Sequence, residues 1–466
     1  MALENGKVTK GVPFGVKISY GAGEGGMQLL LVAHSIYFLV FLTDIVGISA
    51  SLAGLLLALG HIWDGISDPA MGIISDRSKF RSGRRRPYII GAALPLVILF
   101  WLLFTKPNLE GTALSIYFVV VLMLFFVVGT VLYVPYSALL PEITKDYNER
   151  TNLSGYKGIC FMIGSIISSA GMLMIVAEFE DPITGWSVAG GILGILALIP
   201  FLISWRFTRG WERHATDSVP FKFKEVVQTV LGNRSFRYLA AIFLFGTAFL
   251  YGFNASVIYF FGYYMGMSED EISLFFLILF VCCLFWIPLI TMVANRLGKR
   301  NSYIIFVGLS ALICGVGFMV VQPGQLAFVY ILAVINSSAF AATFQLIWAM
   351  VADVVEVDEF KTGSRREGLY WGVLNLMLKL GFAFSLILVS QYLDIIGYVP
   401  NAEQSPTVLW ALRWMQGPIY NGIMLISVVF AFFMPMTHKR YNALLKAIEA
   451  KKAGQQWDET AIAKLI

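Results

Sequence analysis

Twelve separate runs of about 20 apolar residues decide what this chain can become, because each is long enough to cross the hydrocarbon core of a bilayer as a helix. They fall at roughly 18–43, 50–75, 88–105, 113–140, 151–177, 185–206, 237–265, 271–295, 302–321, 325–351, 369–396 and 418–437. Lipid offers the backbone no hydrogen-bond partners, so a run of this kind satisfies its own N–H and C=O groups by coiling. Composition agrees: 58% of the 466 residues are hydrophobic and 14% charged, against roughly 45–50% and 25% in an average soluble domain. The expected class is an all-α, multi-pass membrane protein. No short apolar segment ends in a small-residue cleavage site, so no removable signal peptide is expected. Cys160, Cys282, Cys283 and Cys314 all lie in apolar runs and form no CxxC pair, which reads as packing.

The 34 Lys and Arg residues orient these spans. Thirty fall in the amino terminus, the even-numbered connections and the carboxyl tail, counting Arg206 and Arg237 at span ends, and two, Lys106 and Arg413, in odd-numbered connections. Lys157 and Lys379 lie inside spans. The positive-inside rule then places both termini in the cytoplasm of a cell membrane. The longest connection, 207–236, separates two six-helix bundles, 1–206 and 237–437, with a tail from 438 to 466. A basic stretch recurs after the second helix of each half: Gly83-Arg84-Arg85-Arg86-Pro87-Tyr88-Ile89-Ile90, then Gly298-Lys299-Arg300 with Tyr303-Ile304-Ile305. Two related parallel halves describe the major facilitator architecture, in which substrate binds near the midplane.

Ionised groups within spans mark candidate sites, since each costs about 2.5–3.5 kcal/mol at a helix centre on insertion scales. Asp64 and Asp68, at i,i+4 in helix 2, share a face with His61 and suit a small hard cation or a proton. In helix 11, Gly372, Asn375 and Lys379 share a face, and the Lys379 ammonium calls for a carboxylate partner, for which Asp64 and Asp68 are candidates. Glu24 sits in the glycine-rich start of helix 1 (Gly21-Ala22-Gly23-Glu24-Gly25-Gly26) and is suited to coordination, to sugar hydroxyls or to pairing with an arginine; Gln28 lies one turn deeper. Lys157 either snorkels to the interface or serves substrate or gating. Among the aromatics able to stack on a pyranose, Tyr133 and Trp348 rank first, ahead of Tyr136, Tyr370 and Trp371. Asp76, Arg77, Arg84 and Arg85 after helix 2, and Asp353, Glu356, Asp358 and Glu359 with Lys361, Arg365 and Arg366 after helix 10, read as gating ion pairs or as topology and anionic-lipid contacts. Had Asp64 and Asp68 only a static pairing role, they would contribute uncertain stability.

These motifs together resemble the glycoside–pentoside–hexuronide:cation symporter family, whose best-known member is the bacterial melibiose permease. The likeness rests on Ser19-Tyr20-Gly21-Ala22-Gly23-Glu24, on Trp63-Asp64-Gly65-Ile66-Ser67-Asp68-Pro69 with Gly72, and on the segment from Ala352-Asp353-Val354-Val355-Glu356 through Arg365-Arg366-Glu367-Gly368. Lys379 and the Gly397–Ser405 segment (GYVPNAEQS) complete it, and the match runs almost end to end. The resemblance implies that Asp64 and Asp68 are cation-site carboxylates, with Na⁺ as the metal if the protein is sodium-coupled. It implies that Lys379 is the family's helix 11 lysine and that Asn375 is a polar neighbour of the cation site. Two further acids that grip galactosyl hydroxyls in melibiose permease are replaced here by Gln28 and Tyr133, which speaks against a galactoside of that type. Lys157 falls where a basic residue is common, which keeps an anionic sugar such as a uronide open.

The expectation is therefore a Na⁺- or H⁺-coupled symporter of a sugar, glycoside or uronide. A sodium-coupled lysophospholipid transporter on the same fold, as in animal relatives of the family, and an uncoupled sugar uniporter are the alternatives. No nucleotide-binding loop, metal-ligand cluster or Ser/His/Asp set stands out, so neither an enzyme nor a nucleic-acid partner is expected. No cofactor beyond the coupling ion is implied, and a monomer in the bilayer is the simplest state.

Overall fold

The computed structural model describes residues 3–4, 7–8, 11–78, 80, 83–144, 146–211, 232–363, 367–452, 455–457 and 465. Twelve of its helices are long and apolar enough to span a membrane. Helices 1 to 6 are Phe14–Val46, Ala50–Arg77, Arg86–Leu103, Gly111–Ser137, Tyr147–Val176 and Pro182–Phe207. Helices 7 to 12 are Arg234–Met265, Glu269–Leu297, Lys299–Val320, Leu326–Thr362, Glu367–Ile395 and Pro406–Phe433. A fifteen-residue amphipathic helix, His438–Lys452, follows.

The chain divides into two compact units, Met1–Val219 with Ser268–Leu277, and Pro220–Met267 with Ile278–Ile466. In the first, helix 1 packs on helices 5 and 6, and helix 3 on helices 4 and 6. In the second, helix 7 packs on helices 11 and 12, and helix 9 on helices 10 and 12. Adding six to each helix of the first pattern gives the second, so the repeat hinted at by the basic stretches extends to packing. Helices 1 and 7 even end alike. Each closes in a six-residue π segment, Phe41–Val46 and Phe260–Met265, followed by a glycine in the left-handed region, Gly47 at φ 88° and Gly266 at φ 65°. That conformation strains any residue with a Cβ.

Helix 1 approaches helix 5 through glycine. A Cβ built on Gly164 would lie 2.3 Å from the Gly25 carbonyl oxygen. Small residues at such seams drive helix association in lipid, where apolar burial alone gains little. The close seam fixes the depth at which Glu24 of helix 1 and Lys157 of helix 5 face each other.

Several boundaries differ from the sequence-based expectation. Helix 10 continues to Thr362, so Asp353, Glu356, Asp358, Glu359 and Lys361 ride on the helix rather than in a connection after it. Helix 12 starts at Pro406, not near 418, and passes through a π segment at Met415–Ile419. Arg413 is therefore inside a helix; its guanidinium donates to the Met319 carbonyl and lies 5.0 Å from the Tyr264 ring centroid. Helix 2 runs unbroken through Pro69, whose missing N–H leaves the Gly65 carbonyl without its usual helical donor.

Candidate cation and substrate sites

Asp64 and Asp68 stand one turn apart on helix 2, both partly exposed. Across from them, helix 4 presents Thr130, only 3% exposed. Its hydroxyl reaches Asp64 Oδ1 at 2.7 Å and Asp68 Oδ1 at 3.1 Å, and Ser67 Oγ lies 3.0 Å away. A threonine has one hydroxyl proton. The same hydroxyl thus faces both carboxylates. The donors are two carboxylates and two hydroxyls, a hard-oxygen set of the kind alkali and alkaline-earth ions take. Among the described residues, no three His, Cys, Asp or Glu side chains gather into a metal cluster.

His61, on the same helix 2 face by spacing, packs among rings instead. Its imidazole centroid lies 4.7 Å from Phe126 and 5.7 Å from His34, which in turn sits against Phe38, Phe125 and Phe126.

A second cluster joins helices 1, 4 and 5. Glu24 Oε2 pairs with Lys157 Nζ at 3.1 Å, and the carboxylate is almost wholly buried while the ammonium keeps partial exposure. Gln28 donates from Nε2 to Glu24 Oε1 at 3.0 Å, and the Tyr133 hydroxyl donates to the same oxygen at 3.5 Å. The ammonium also lies 5.5 Å from the Tyr133 ring and 5.8 Å from the Tyr136 ring, within cation–π range. Tyr136 is held in turn: it stacks on Tyr20 and donates to the Tyr20 carbonyl at 2.7 Å. Four residues singled out separately in the sequence (Glu24, Gln28, Tyr133 and Lys157) therefore form one polar patch. Its parts can offer a substrate an ammonium, an amide, a phenol and aromatic faces.

Trp348 belongs to the second unit, sandwiched between Phe243 (4.8 Å, edge-on) and Trp371 (5.0 Å, stacked). The void it lines there is ≈ 10 Å³, room for about one water. On helix 11, Asn375 is exposed and Lys379 is buried.

The charges at the helix ends are engaged inside their own units. In the first, Arg84 Nη2 meets Glu142 Oε1 at 2.6 Å and Arg85 Nη2 meets Asp76 Oδ1 at 2.7 Å, with Arg85 Nε 3.1 Å from Glu142. Burial pulls the Arg85 guanidinium below its ordinary pKa, opposed by the Glu142 and Asp76 carboxylates. Arg77 is exposed. In the second unit, Lys299 Nζ meets Asp353 Oδ1 at 2.5 Å. Tyr441 of the C-terminal helix lies beside Asp353 and Glu356; burial and then those carboxylates push its phenol well above the usual tyrosine range. Arg365 lies outside the described residues.

Thr130 and Glu142 escaped the sequence reading. Thr130 is the one hydroxyl between Tyr117 and Tyr133 in helix 4, three residues before Tyr133 and so on the same helical face. That spacing is the signal that was there to be used.

The chain matches the family model described as MFS/sugar transport protein over residues 19–438. It is 26% identical to an isoprimeverose transporter of Lactiplantibacillus pentosus, over 90% of this chain and 88% of that protein. It is 24% identical to a glucuronide carrier protein homolog of Escherichia coli, over 94% and 96%. In fold it is similar to the inward-facing crystal structure of a bacterial homolog of the human lysosomal transporter Spinster, with a TM-score of 0.66 at 14% identity, over 94% of this chain and 99% of that one. The protein belongs to the MFS/sugar transport family, and within it to the glycoside–pentoside–hexuronide:cation symporters of the major facilitator superfamily.

Proposed function

We propose that the protein couples the movement of Na⁺ or H⁺ to that of a sugar or glycoside. The observation that carries this reading is the sharing of the Thr130 hydroxyl by Asp64 and Asp68. Two carboxylates held this close repel each other, and a cation or an added proton relieves that repulsion. The ion here is cargo: Asp64 and Asp68 hold it, Thr130 and Ser67 orient them, and Lys379 and Asn375 keep the supporting role that the family pattern implies.

The substrate side is assigned to Glu24, Gln28, Tyr133 and Lys157. The Glu24 carboxylate accepts from sugar hydroxyls, and the partly exposed Lys157 ammonium favours a substrate carrying negative charge, such as a uronide. Relatives named for isoprimeverose and glucuronide transport support a saccharide cargo. Because Thr130 and Tyr133 share a face of helix 4, a shift of that helix on ion binding reaches the substrate patch directly. The charge clusters around Arg84, Arg85 and Asp76, and around Asp353 and Glu356, act as latches that open and re-form within the transport cycle.

A thermal-shift screen tests the whole reading. Sugars, glycosides, uronides and lysolipids are compared in Na⁺ and in choline buffer, and over a pH series. A ligand that binds the folded state raises its apparent stability. A saccharide whose shift grows with Na⁺ or with acidity supports the proposal, since coupled ligands must tighten each other's binding. Stabilisation by lysolipids alone identifies the lipid carrier, and a saccharide effect blind to cations identifies a uniporter.

A further inference from the structure

The glycines at the start of helix 1 serve different neighbours. A Cβ on Gly21 or Gly25 would meet helix 5 at Cys160, and one on Gly26 would meet helix 6 at Ala197 and Phe201. Gly23 opens onto helix 4. A Cβ there would lie 2.4 Å from Cε2 of Tyr136 and 2.9 Å from its Cζ, where carbon atoms pack at about 3.5–4.0 Å. The ring is not free to step aside. Its face stacks on Tyr20 with 5.2 Å between centroids, and its hydroxyl donates to the Tyr20 carbonyl at 2.7 Å. That carbonyl lies four residues before Glu24, at the helical position that faces the Glu24 N–H. Tyr136 of helix 4 is thus pinned to helix 1 at the root of Glu24.

From that seat the ring reaches helix 5. The Lys157 ammonium lies over the Tyr136 ring at 5.8 Å and over the Tyr133 ring at 5.5 Å, and the two rings stand 6.0 Å apart. An aromatic face within about 6 Å attracts a cation, so the ammonium has two walls besides the Glu24 carboxylate at 3.1 Å. This matters because lysine carries its charge on a flexible four-carbon stem. A single carboxylate fixes a distance; two rings and a carboxylate fix a place. Tyr136 is 0% exposed, so its effect on a substrate runs through other residues, whereas 25% of the Lys157 side chain stays exposed.

We infer that Tyr136, seated in the space that Gly23 leaves, is a positioning residue that holds the Lys157 ammonium where the anionic group of a substrate meets it. Without the ring, Lys157 keeps its charge and loses its place, and the preference for an anionic saccharide over a neutral one falls. Recognition of sugar hydroxyls by Glu24 survives, because Gln28 and Tyr133 still hold its other oxygen. The preference for anionic saccharides rests on the proposed transport function; the seating of Lys157 by Tyr136 does not.

Two measurements on the purified full-length protein in neutral detergent test this. The first is the rate at which formaldehyde with a borohydride reductant methylates Lys157, read by mass spectrometry of the peptide that carries it. The second is titration with methyl glucuronide and methyl glucoside, which differ only in a carboxylate against a hydroxymethyl group. Tyr136→Leu should speed labelling of Lys157 several-fold and weaken glucuronide binding by about tenfold, with the glucoside changed by no more than about twofold. Tyr136→Phe keeps the ring and should match the parent in both. Gly23→Ala displaces the ring and should reproduce the leucine variant, and the two changes together should go no further than either alone. Gly23→Ala also carries the test if Tyr136→Leu does not fold. Parent-like labelling in Tyr136→Leu and Gly23→Ala overturns the inference. So does a phenylalanine variant labelled as fast as the leucine one, or an equal loss of glucuronide and glucoside binding, which would mark a merely structural role. If the parent binds neither glycoside while the variants still speed labelling, the substrate reading fails and the seating of Lys157 stands.

Discussion

The two polar clusters of the first unit treat charge in opposite ways. The Glu24 cluster carries its own cation: Lys157 balances the carboxylate, and Gln28 and Tyr133 share its second oxygen. The Asp64–Asp68 cluster brings two carboxylates onto one neutral hydroxyl. The first arrangement is close to electrically complete and, in the proposed reading, recognises the shape and hydroxyls of the substrate. The second brings two carboxylates together and, in the proposed reading, takes the cation. Helix 4 touches both, through Thr130 and Tyr133 three residues apart. The proposed coupling uses this division, with helix 4 linking the ion site to the substrate patch.

The largest expected effect is at the acidic cluster. Asp68→Asn removes one of the two charges while keeping nearly the same shape, so the cluster no longer demands a cation. Uphill accumulation of substrate in membrane vesicles should vanish, with the protein still inserted and energy-independent exchange of substrate retained. Normal uphill uptake by this variant would break the contrast drawn between the clusters.

That contrast was half visible in the sequence. Asp64 and Asp68 stood out because lipid makes each charge expensive, so their presence in an apolar run needed a reason. Thr130 stood out not at all, since one hydroxyl in an apolar helix costs little and can bond to its own backbone. Glu24, Gln28, Tyr133 and Lys157 were each noticeable, yet only packing of helices 1, 4 and 5 through the Gly25–Gly164 seam shows them as one patch. Segment ends failed where charge interrupts hydropathy. Past Val351, helix 10 turns acidic, but Val354, Val355, Val357 and Phe360 stay buried and carry the helix to Thr362. Arg413 and Gln416 hid the first turns of helix 12 in the same way; Arg413 donates from Nη2 to the Met319 carbonyl, and the Gln416 amide oxygen accepts from Ser256 at 2.9 Å.

Next in size is Lys157→Met. Losing one partner of a buried ion pair leaves Glu24 uncompensated, and such changes cost about 3–5 kcal/mol; partial exposure of Lys157 puts this one at the lower end. Chemical denaturation or melting should show the loss. The double variant Glu24→Gln with Lys157→Met should regain most of that stability without regaining substrate affinity. If affinity returns together with stability, the cluster is a structural pair and the substrate site lies elsewhere.

Thr130→Val keeps the shape of the side chain and deletes the hydroxyl. A hydrogen bond to a charged group contributes about 1.5–3 kcal/mol, so cation affinity should fall by about tenfold or somewhat more. Thr130→Ser, which retains the hydroxyl, should stay near the parent. The measurement is the cation dependence of the substrate-induced thermal shift. Equal cation affinity in the valine variant would mean that the two aspartates are organised without helix 4, and the link between the clusters would lose its physical basis.

Tyr133→Phe sharpens the comparison from the other side. Its hydroxyl lies 3.5 Å from Glu24 Oε1, at the long limit of a hydrogen bond, while its ring stays 5.5 Å from the Lys157 ammonium. Removing the hydroxyl alone should change stability by no more than about 1 kcal/mol and leave the cation dependence untouched, because the ring still holds its place beside Tyr136. Substrate affinity is the discriminating readout. A drop of about tenfold in affinity with unchanged stability means the phenol bonds the substrate rather than Glu24 during transport. No drop means that the ring, and not the hydroxyl, is what helix 4 contributes to the patch. In either case the cation site one turn away should respond only through substrate binding, since Thr130 and its two aspartates are left as they were.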